Sequence, residues 1–455
     1  MTALLVSPDY LSHYLPLSAL GSTLRARDHD VLFATGPGLR DRVLDDGFAH
    51  VELMLGAGTN RGLATLEDQT GGAKENLSDF LAATEHGMVA TLEYQARKRL
   101  DDLLWEPESV TASLQAIVRD VEPSLVVSDQ LAFGASLALR TLGVPYASFL
   151  PGHPCQLPAE GEPFGYPARR PAEFAPSRSE LERLYGLCTR VAENFTDRFN
   201  SVLRSLAPNA TPVADAFTAG SPWLTLVNYP RQLAGYRRFP PRTELIGSCV
   251  RSEPTGELTG LSRENGRPRA YVALGSFLSA RSDVLCRIAA ALRFLGWDAV
   301  IASGTADPAE LGPIPSGWVV RPYLPQIAAL DACDVVVCHG GNNTVTEALT
   351  SGIPVLVAPF STDQFAGAAD LIDAGLGSAI DPNRTSPAEI EAKLQDLLES
   401  GAPTRAAALG QRLRGEPGAR RAATLVERAL LPPLNAASRS RPHSWRARPA
   451  TASAS

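Results

Sequence analysis

An α/β fold is predicted by three features of this sequence. Short apolar runs alternate with helical patterns over most of its length, the signature of a parallel sheet covered by helices. The alternation restarts after a proline-rich stretch near the middle. The composition, 44% hydrophobic and 20% charged over 455 residues, suits two sizeable domains that bury a large core without disulfides or metal.

Taken in order, the first half carries strands at 3–6, 31–34, 125–127 and 146–149. Helical patterns at 16–27, 111–120 and 132–142 lie between them, apolar at three- and four-residue spacing, and a further strand follows at 223–227. Stretches 55–110 and 151–220 interrupt this half with polar, helix-prone or proline-rich material. Insertions at strand ends are where ligands are usually met, so both are assigned to a substrate pocket. Residues 229–244, with Pro230, Pro240 and Pro241, are expected to link the domains. The second half brings strands at 270–274, 299–302, 319–321, 335–338 and 354–358. The expected division is a first domain over 1–228, the linker, a second domain over 245–404, a helical stretch over 405–431 and a tail over 432–455. That tail has four arginines and no acid, and is expected to be disordered.

Charge and motifs exclude several functions. A net charge of −7 argues against a general nucleic-acid binder, which needs cations against phosphates. Only Lys74, Lys98 and Lys393 are lysines among 42 basic residues, a coding bias rather than a chemical signal. The six cysteines form no C-x-x-C pair and read as free thiols of a reducing compartment. The start lacks a signal-peptide pattern and no run reaches membrane-spanning length, so a cytoplasmic location without stable membrane association is expected. There is no phosphate-loop GKS/T motif and no H-E-x-x-H. Gly56, Gly58 and Gly62 are spaced wrongly for a dinucleotide fingerprint and read as a loop.

The strongest signal is the strand 335–338 followed by His339-Gly340-Gly341-Asn342-Asn343-Thr344 and, three residues on, Glu347. This is a buried strand, a tight glycine turn and a helix start, capped by Asn343 or Thr344. Open backbone N–H groups at the positive end of a helix make an anion site suited to phosphate, and His339 adds a donor there. Alone, such a turn is compatible with a purely architectural role.

With its surroundings the pattern resembles the donor-binding signature of family-1 glycosyltransferases, two-domain GT-B enzymes that use nucleotide sugars, and in particular their bacterial antibiotic-pathway members. Tyr323, followed by Leu324, Pro325 and Gln326, stands where that family stacks an aromatic residue on the nucleobase. Glu347 matches the acid that takes the ribose hydroxyls, and Asp363-Gln364 the pair that binds the transferred sugar. Gly275-Ser276 matches a second diphosphate-contacting loop, beside His339, Gly341, Asn342, Asn343 and Thr344. Asn342 and Asn343 depart from the small Ala-Gly usual in bacterial members. The resemblance also implies that the helix in 405–431 crosses back to the first domain.

In the first half, His13 follows strand one at the carboxyl edge of the sheet, where open α/β sheets place ligands. A neutral imidazole suits proton abstraction. In the family the histidine of this loop deprotonates the acceptor hydroxyl, and Asp129, just past strand 125–127, matches the acid that orients it.

The resemblance therefore implies two doubly wound Rossmann-like domains facing across a cleft. The activity it implies is inverting, metal-independent sugar transfer from a UDP or dTDP donor to a hydroxyl of a small-molecule acceptor, a bacterial natural-product aglycone, with no cofactor beyond the nucleotide sugar as co-substrate. Nucleic acid is not an expected partner, and a homodimer is left open. Two alternatives stand beside it: a nucleotide-sugar epimerase of the same architecture, for which no acid/base cluster is evident, and an auxiliary protein activating a partner transferase, which would be expected to lack His13 or the donor motif.

Overall fold

The computed structural model describes residues 1–56, 58, 72–235, 237–251 and 266–431. The tail over 432–455 and Gly62 lie outside the described residues. The first sheet has seven parallel strands in the order β3-β2-β1-β4-β5-β6-β7. They are β1 (Thr2–Val6), β2 (Asp30–Thr35), β3 (Ala49–Glu52), β4 (Leu125–Asp129), β5 (Ala147–Leu150), β6 (Leu224–Val227) and β7 (Thr243–Leu245). The second has six, in the order β10-β9-β8-β11-β12-β13. These are β8 (Arg269–Ala273), β9 (Asp298–Ala302), β10 (Trp318–Arg321), β11 (Val335–Cys338), β12 (Val355–Val357) and β13 (Gly377–Ala379).

Central strands are apolar on both faces because helices cover both. All four residues of β11 and all five of β8 are buried, and helices fill the crossovers that parallel pairing requires. In both sheets the strand order reverses beside the first strand, between β1 and β4 and between β8 and β11. Crevices at such switch points open at the carboxyl ends of the strands. The residues expected to form the site lie there in both halves.

Three departures from the expected layout have physical reasons. The stretch 229–244, expected as a linker, contains the start of β7, which pairs with β6 in parallel, so the first sheet continues past it. Ile246 and Cys249 also pack in the first domain's core. The first helix begins at Leu11 rather than 16, because Pro16 is tolerated inside it and only the Ser12 carbonyl loses its helical N–H partner. The stretch 405–431 spans two helices, Ala402–Gly415 and Gly418–Leu430, broken at Pro417. Leu409 and Leu413 of the former pack in the second domain's core, whereas Ala419, Ala422, Ala423 and Val426 of the latter pack under the first sheet. Arg27 and His29 clamp that last helix through Glu427, at 2.7 and 3.0 Å.

The insertions become helices. Gly72–Glu85 and Met88–Asp102 form a pair, and Arg178–Leu206, started by a Ser177–Glu180 capping box, runs alongside the second of them. Thr84 ties this pair to the second domain. Its hydroxyl receives Arg281 Nη1 at 3.0 Å, and its carbonyl receives Asn383 Nδ2 at 2.8 Å. All six cysteines are free. No helix among the described residues is long and apolar enough to cross a membrane.

Candidate active site

A cavity of about 520 Å³ opens between the two sheets at their carboxyl ends. His13, Gly275, Ser276, Tyr323, Gln326, His339, Gly341, Asn342, Asn343, Thr344, Asp363 and Gln364 all line it. Asp129 stands behind His13, and Glu347 lies off the cavity wall behind Arg251.

On the first-domain side, β4 ends at Asp129, which is completely buried. Its Oδ1 accepts the Leu131 backbone N–H at 2.8 Å, and its Oδ2 lies 2.8 Å from His13 Nδ1. An ionised carboxylate can only accept, so Nδ1 carries the proton and Nε2 keeps the lone pair. Burial alone would push the His13 imidazole down. The charge and hydrogen bond of Asp129, with Asp363 adding at longer range, carry it above its ordinary value.

On the second-domain side, β11 delivers His339 into a turn whose Gly340 has φ +88° and whose α-carbon faces Val357; a Cβ there would stand 2.6 Å from Val357 Cγ1. Glycine is required at this position on both counts. Gly275 and Gly341 flank the His339 ring, at 2.6 and 2.4 Å from where a Cβ would be. Burial pushes His339 down to about 4, against smaller upward contributions from Asp363 and a hydrogen bond to the Ala273 carbonyl. A neutral ring has one N–H, which that carbonyl takes. Nδ1 is buried without a partner, so the ring donates to an anion only when it gains a second proton.

The helix Asn342–Ser351 has Gly341 at its N-cap and no side-chain cap. The expected cap by Asn343 or Thr344 is not formed, because both fall inside the first turn: Thr344 Oγ1 lies 3.5 Å from Gln326 Oε1, and Asn343, like Asn342, reaches the first domain. Asn342 Nδ2 donates to the Pro151 and Asn228 carbonyls at 2.7 and 2.8 Å, just past β5 and β6. Asn343 Nδ2 donates at 2.7 Å to Ser12 O, the carbonyl that Pro16 leaves without a helical partner. The first-turn backbone N–H groups therefore have no side-chain competitor for an anion.

Glu347 is 4% exposed, with Oε1 2.8 Å from Arg251 Nη1 and Oε2 accepting from Gln326 Nε2. Gln326 is itself fixed by Tyr271, whose hydroxyl donates to its Oε1 at 3.1 Å. Tyr323, 56% exposed, stands at the rim with its ring available for stacking. Asp363 accepts from Ser361 Oγ at 3.1 Å. Gln364 Oε1 accepts the Phe360 and Ser361 backbone N–H groups at 2.8 and 3.0 Å, which leaves only its amide N–H groups for a ligand.

Sequence reasoning missed Arg251, Phe80, Gln95, Leu131 and Gln156, which also line the cleft. No local motif marks them: Phe80, Gln95 and Gln156 come from the two insertions, Leu131 from just past β4 and Arg251 from beyond the linker. Among the described residues, no three His, Cys, Asp or Glu side chains are grouped to hold a metal ion.

Residues 290–430 match the family model of the erythromycin biosynthesis protein CIII-like C-terminal domain. Demethyllactenocin mycarosyltransferase of Streptomyces fradiae is 25% identical over 394 residues, covering 85% of this chain and 77% of that protein. The crystal structure of the glycotransferase of kitacinnamycin superposes with a TM-score of 0.67 at 23% identity, covering 95% of this chain and 99% of the other. The glycosyltransferase VinC, solved in complex with dTDP, superposes with a TM-score of 0.64 at 20% identity, covering 94% and 99%. The fold is GT-B.

Proposed function

We propose that the chain, a GT-B protein similar to family-1 glycosyltransferases of antibiotic pathways, transfers a sugar from a nucleoside diphosphate to a hydroxyl of a small natural-product aglycone by one inverting displacement that needs no metal. The observation that carries this reading is the His13–Asp129 pair facing, across one cleft, a helix start with open amides. His13 Nε2 takes the acceptor's hydroxyl proton as that oxygen forms a bond to the anomeric carbon. The bond from the anomeric carbon to the diphosphate oxygen breaks, and its electron pair leaves with the diphosphate. Asp129 holds the ring in the needed tautomer and stabilises the imidazolium that forms. A single displacement from the opposite face inverts the anomeric centre.

The leaving charge is met by the backbone N–H groups opening the Asn342 helix and by Ser276, aimed where negative charge grows. His339 joins them as the diphosphate's charge raises its proton affinity. Tyr323 stacks on the base, Gln326 and Glu347 order the ribose side, and Asp363 with the Gln364 amide holds the sugar. VinC was solved with dTDP, which favours that nucleotide here as well. Thermal-shift measurements with dTDP and UDP test the donor site. A ligand at 100 times its dissociation constant stabilises by about 2.7 kcal/mol, so a clear upward shift in Tm is expected, and no shift with either nucleotide would refute the assignment.

A further inference from the structure

A carboxylate recognises a sugar by accepting from its hydroxyls, and for that it has to present an oxygen to them. Glu347 is buried and stands off the cleft wall, whereas Arg251, whose Nη1 lies 2.8 Å from Glu347 Oε1, is part of that wall. The other oxygen, Oε2, accepts from Gln326 Nε2, and Tyr271 fixes that amide by donating to Gln326 Oε1 at 3.1 Å. The place of this cluster in the cleft follows from its neighbours. Gln326 comes three residues after Tyr323, and its Oε1 lies 3.5 Å from the hydroxyl of Thr344, in the first turn of the Asn342 helix. A base stacked on Tyr323 and a diphosphate at that helix start are joined covalently by a pentose. The pentose must therefore cross the wall where Arg251 and Gln326 stand.

Resting on the donor reading above, we infer that Arg251 rather than Glu347 faces the pentose, and that it selects a 2′-deoxypentose over one with both hydroxyls. A guanidinium carries N–H donors and no acceptor, so a hydroxyl set against it can accept but finds no partner for its own proton. An O–H stripped of water and left unpaired costs free energy, and the deoxy sugar brings one fewer. Glu347 acts through Arg251 as a positioning residue. It fixes the guanidinium and, while the pair is closed, offers the pentose no oxygen.

Calorimetric titration of the full chain with dTDP, dUDP, UDP and 5-methyl-UDP separates the sugar from the base. dUDP is expected to bind more tightly than UDP, and dTDP more tightly than 5-methyl-UDP, by the same factor of about 3- to 10-fold. Arg251→Ala opens the Glu347 carboxylate to the pentose, so both ratios should fall to unity or reverse in favour of the ribonucleotides. Glu347→Gln keeps the shape of the pair and should weaken all four ligands alike, with both ratios retained. Equal binding of deoxy and ribo forms by the parent, or ratios that Arg251→Ala leaves unchanged, would overturn the proposal. Should Arg251→Ala fail to fold, the parent and Glu347→Gln decide: a selective loss of UDP and 5-methyl-UDP in Glu347→Gln would put Glu347 itself on the pentose. Absence of binding by all four nucleotides would remove the donor reading, whereas binding without deoxy selectivity would remove this inference alone.

Discussion

The two domains place opposite chemistry at equivalent points of one frame. Strand β4 sits beside β1 in the first sheet as β11 sits beside β8 in the second. The end of β4 holds Asp129, and the turn after β11 holds His339. Each domain thus brings one histidine to the cleft, in opposite states. His13 is tied to a carboxylate and held above its ordinary pKa, whereas His339 is buried against glycines and pushed down to about 4. On the proposed mechanism, one frame makes a base when its switch point carries a carboxylate, and an anion cradle when it carries glycines and an uncapped helix.

The largest expected effect tests the first half of that contrast. His13→Ala should slow transfer by roughly 10²- to 10⁴-fold, with nucleotide affinity unchanged by titration. Asp129→Ala in that background should add almost nothing, because it has no ring left to orient. Additive losses in the double variant would dissolve the pair. The second half is tested by Gly340→Ala, which meets both the positive φ and Val357. Strain of about 1–3 kcal/mol at the turn should weaken nucleotide binding by about 5- to 150-fold, while acceptor affinity stays put. Equal damage to both would mean that the turn serves the whole fold.

A smaller effect is expected at Glu347, whose carboxylate is shared with Arg251 and Gln326. Glu347→Ala should weaken nucleotide binding by about 3- to 10-fold in calorimetry, with transfer at saturating donor nearly normal. The smallest expected effect is a shift in pH profile. His13 must be unprotonated to act and is held above its ordinary 6.5, so kcat/KM should climb with pH through an inflection above that value. Asp129→Asn removes the charge that raises it and should move the inflection down. An inflection that Asp129→Asn leaves in place would assign the titration to another group.

Much of this was legible in the sequence, for reasons that also explain what was not. Central strands such as β8 and β11 are buried on both faces and announce themselves as apolar runs. The strands that escaped notice, β3, β7 and β13, are all sheet edges. They read Ala-His-Val-Glu, Thr-Glu-Leu and Gly-Ser-Ala, because an edge strand need not be apolar on both sides. The site divides in the same way. Residues contiguous in one turn, from His339 to Thr344, could be found by spacing. Arg251, Gln95 and Gln156 reach the cleft only through tertiary packing and leave no local pattern.

The asparagine pair that opens the second domain's helix sets a rule for exchanging halves between enzymes of this kind. Asn342 donates to the carbonyls of Pro151 and Asn228, and Asn343 to the Ser12 carbonyl that Pro16 leaves open. A chimera that joins this first domain to a second domain with Ala-Gly at those positions would strip donors from all three carbonyls at once, one of them adjacent to the base. The reciprocal chimera would set Asn343 against a first helix that lacks this proline, where the equivalent carbonyl is already bonded within the helix. Pro16, Asn342 and Asn343 therefore form a compatibility set, and a recombined enzyme should keep its register across the cleft only when the three travel together.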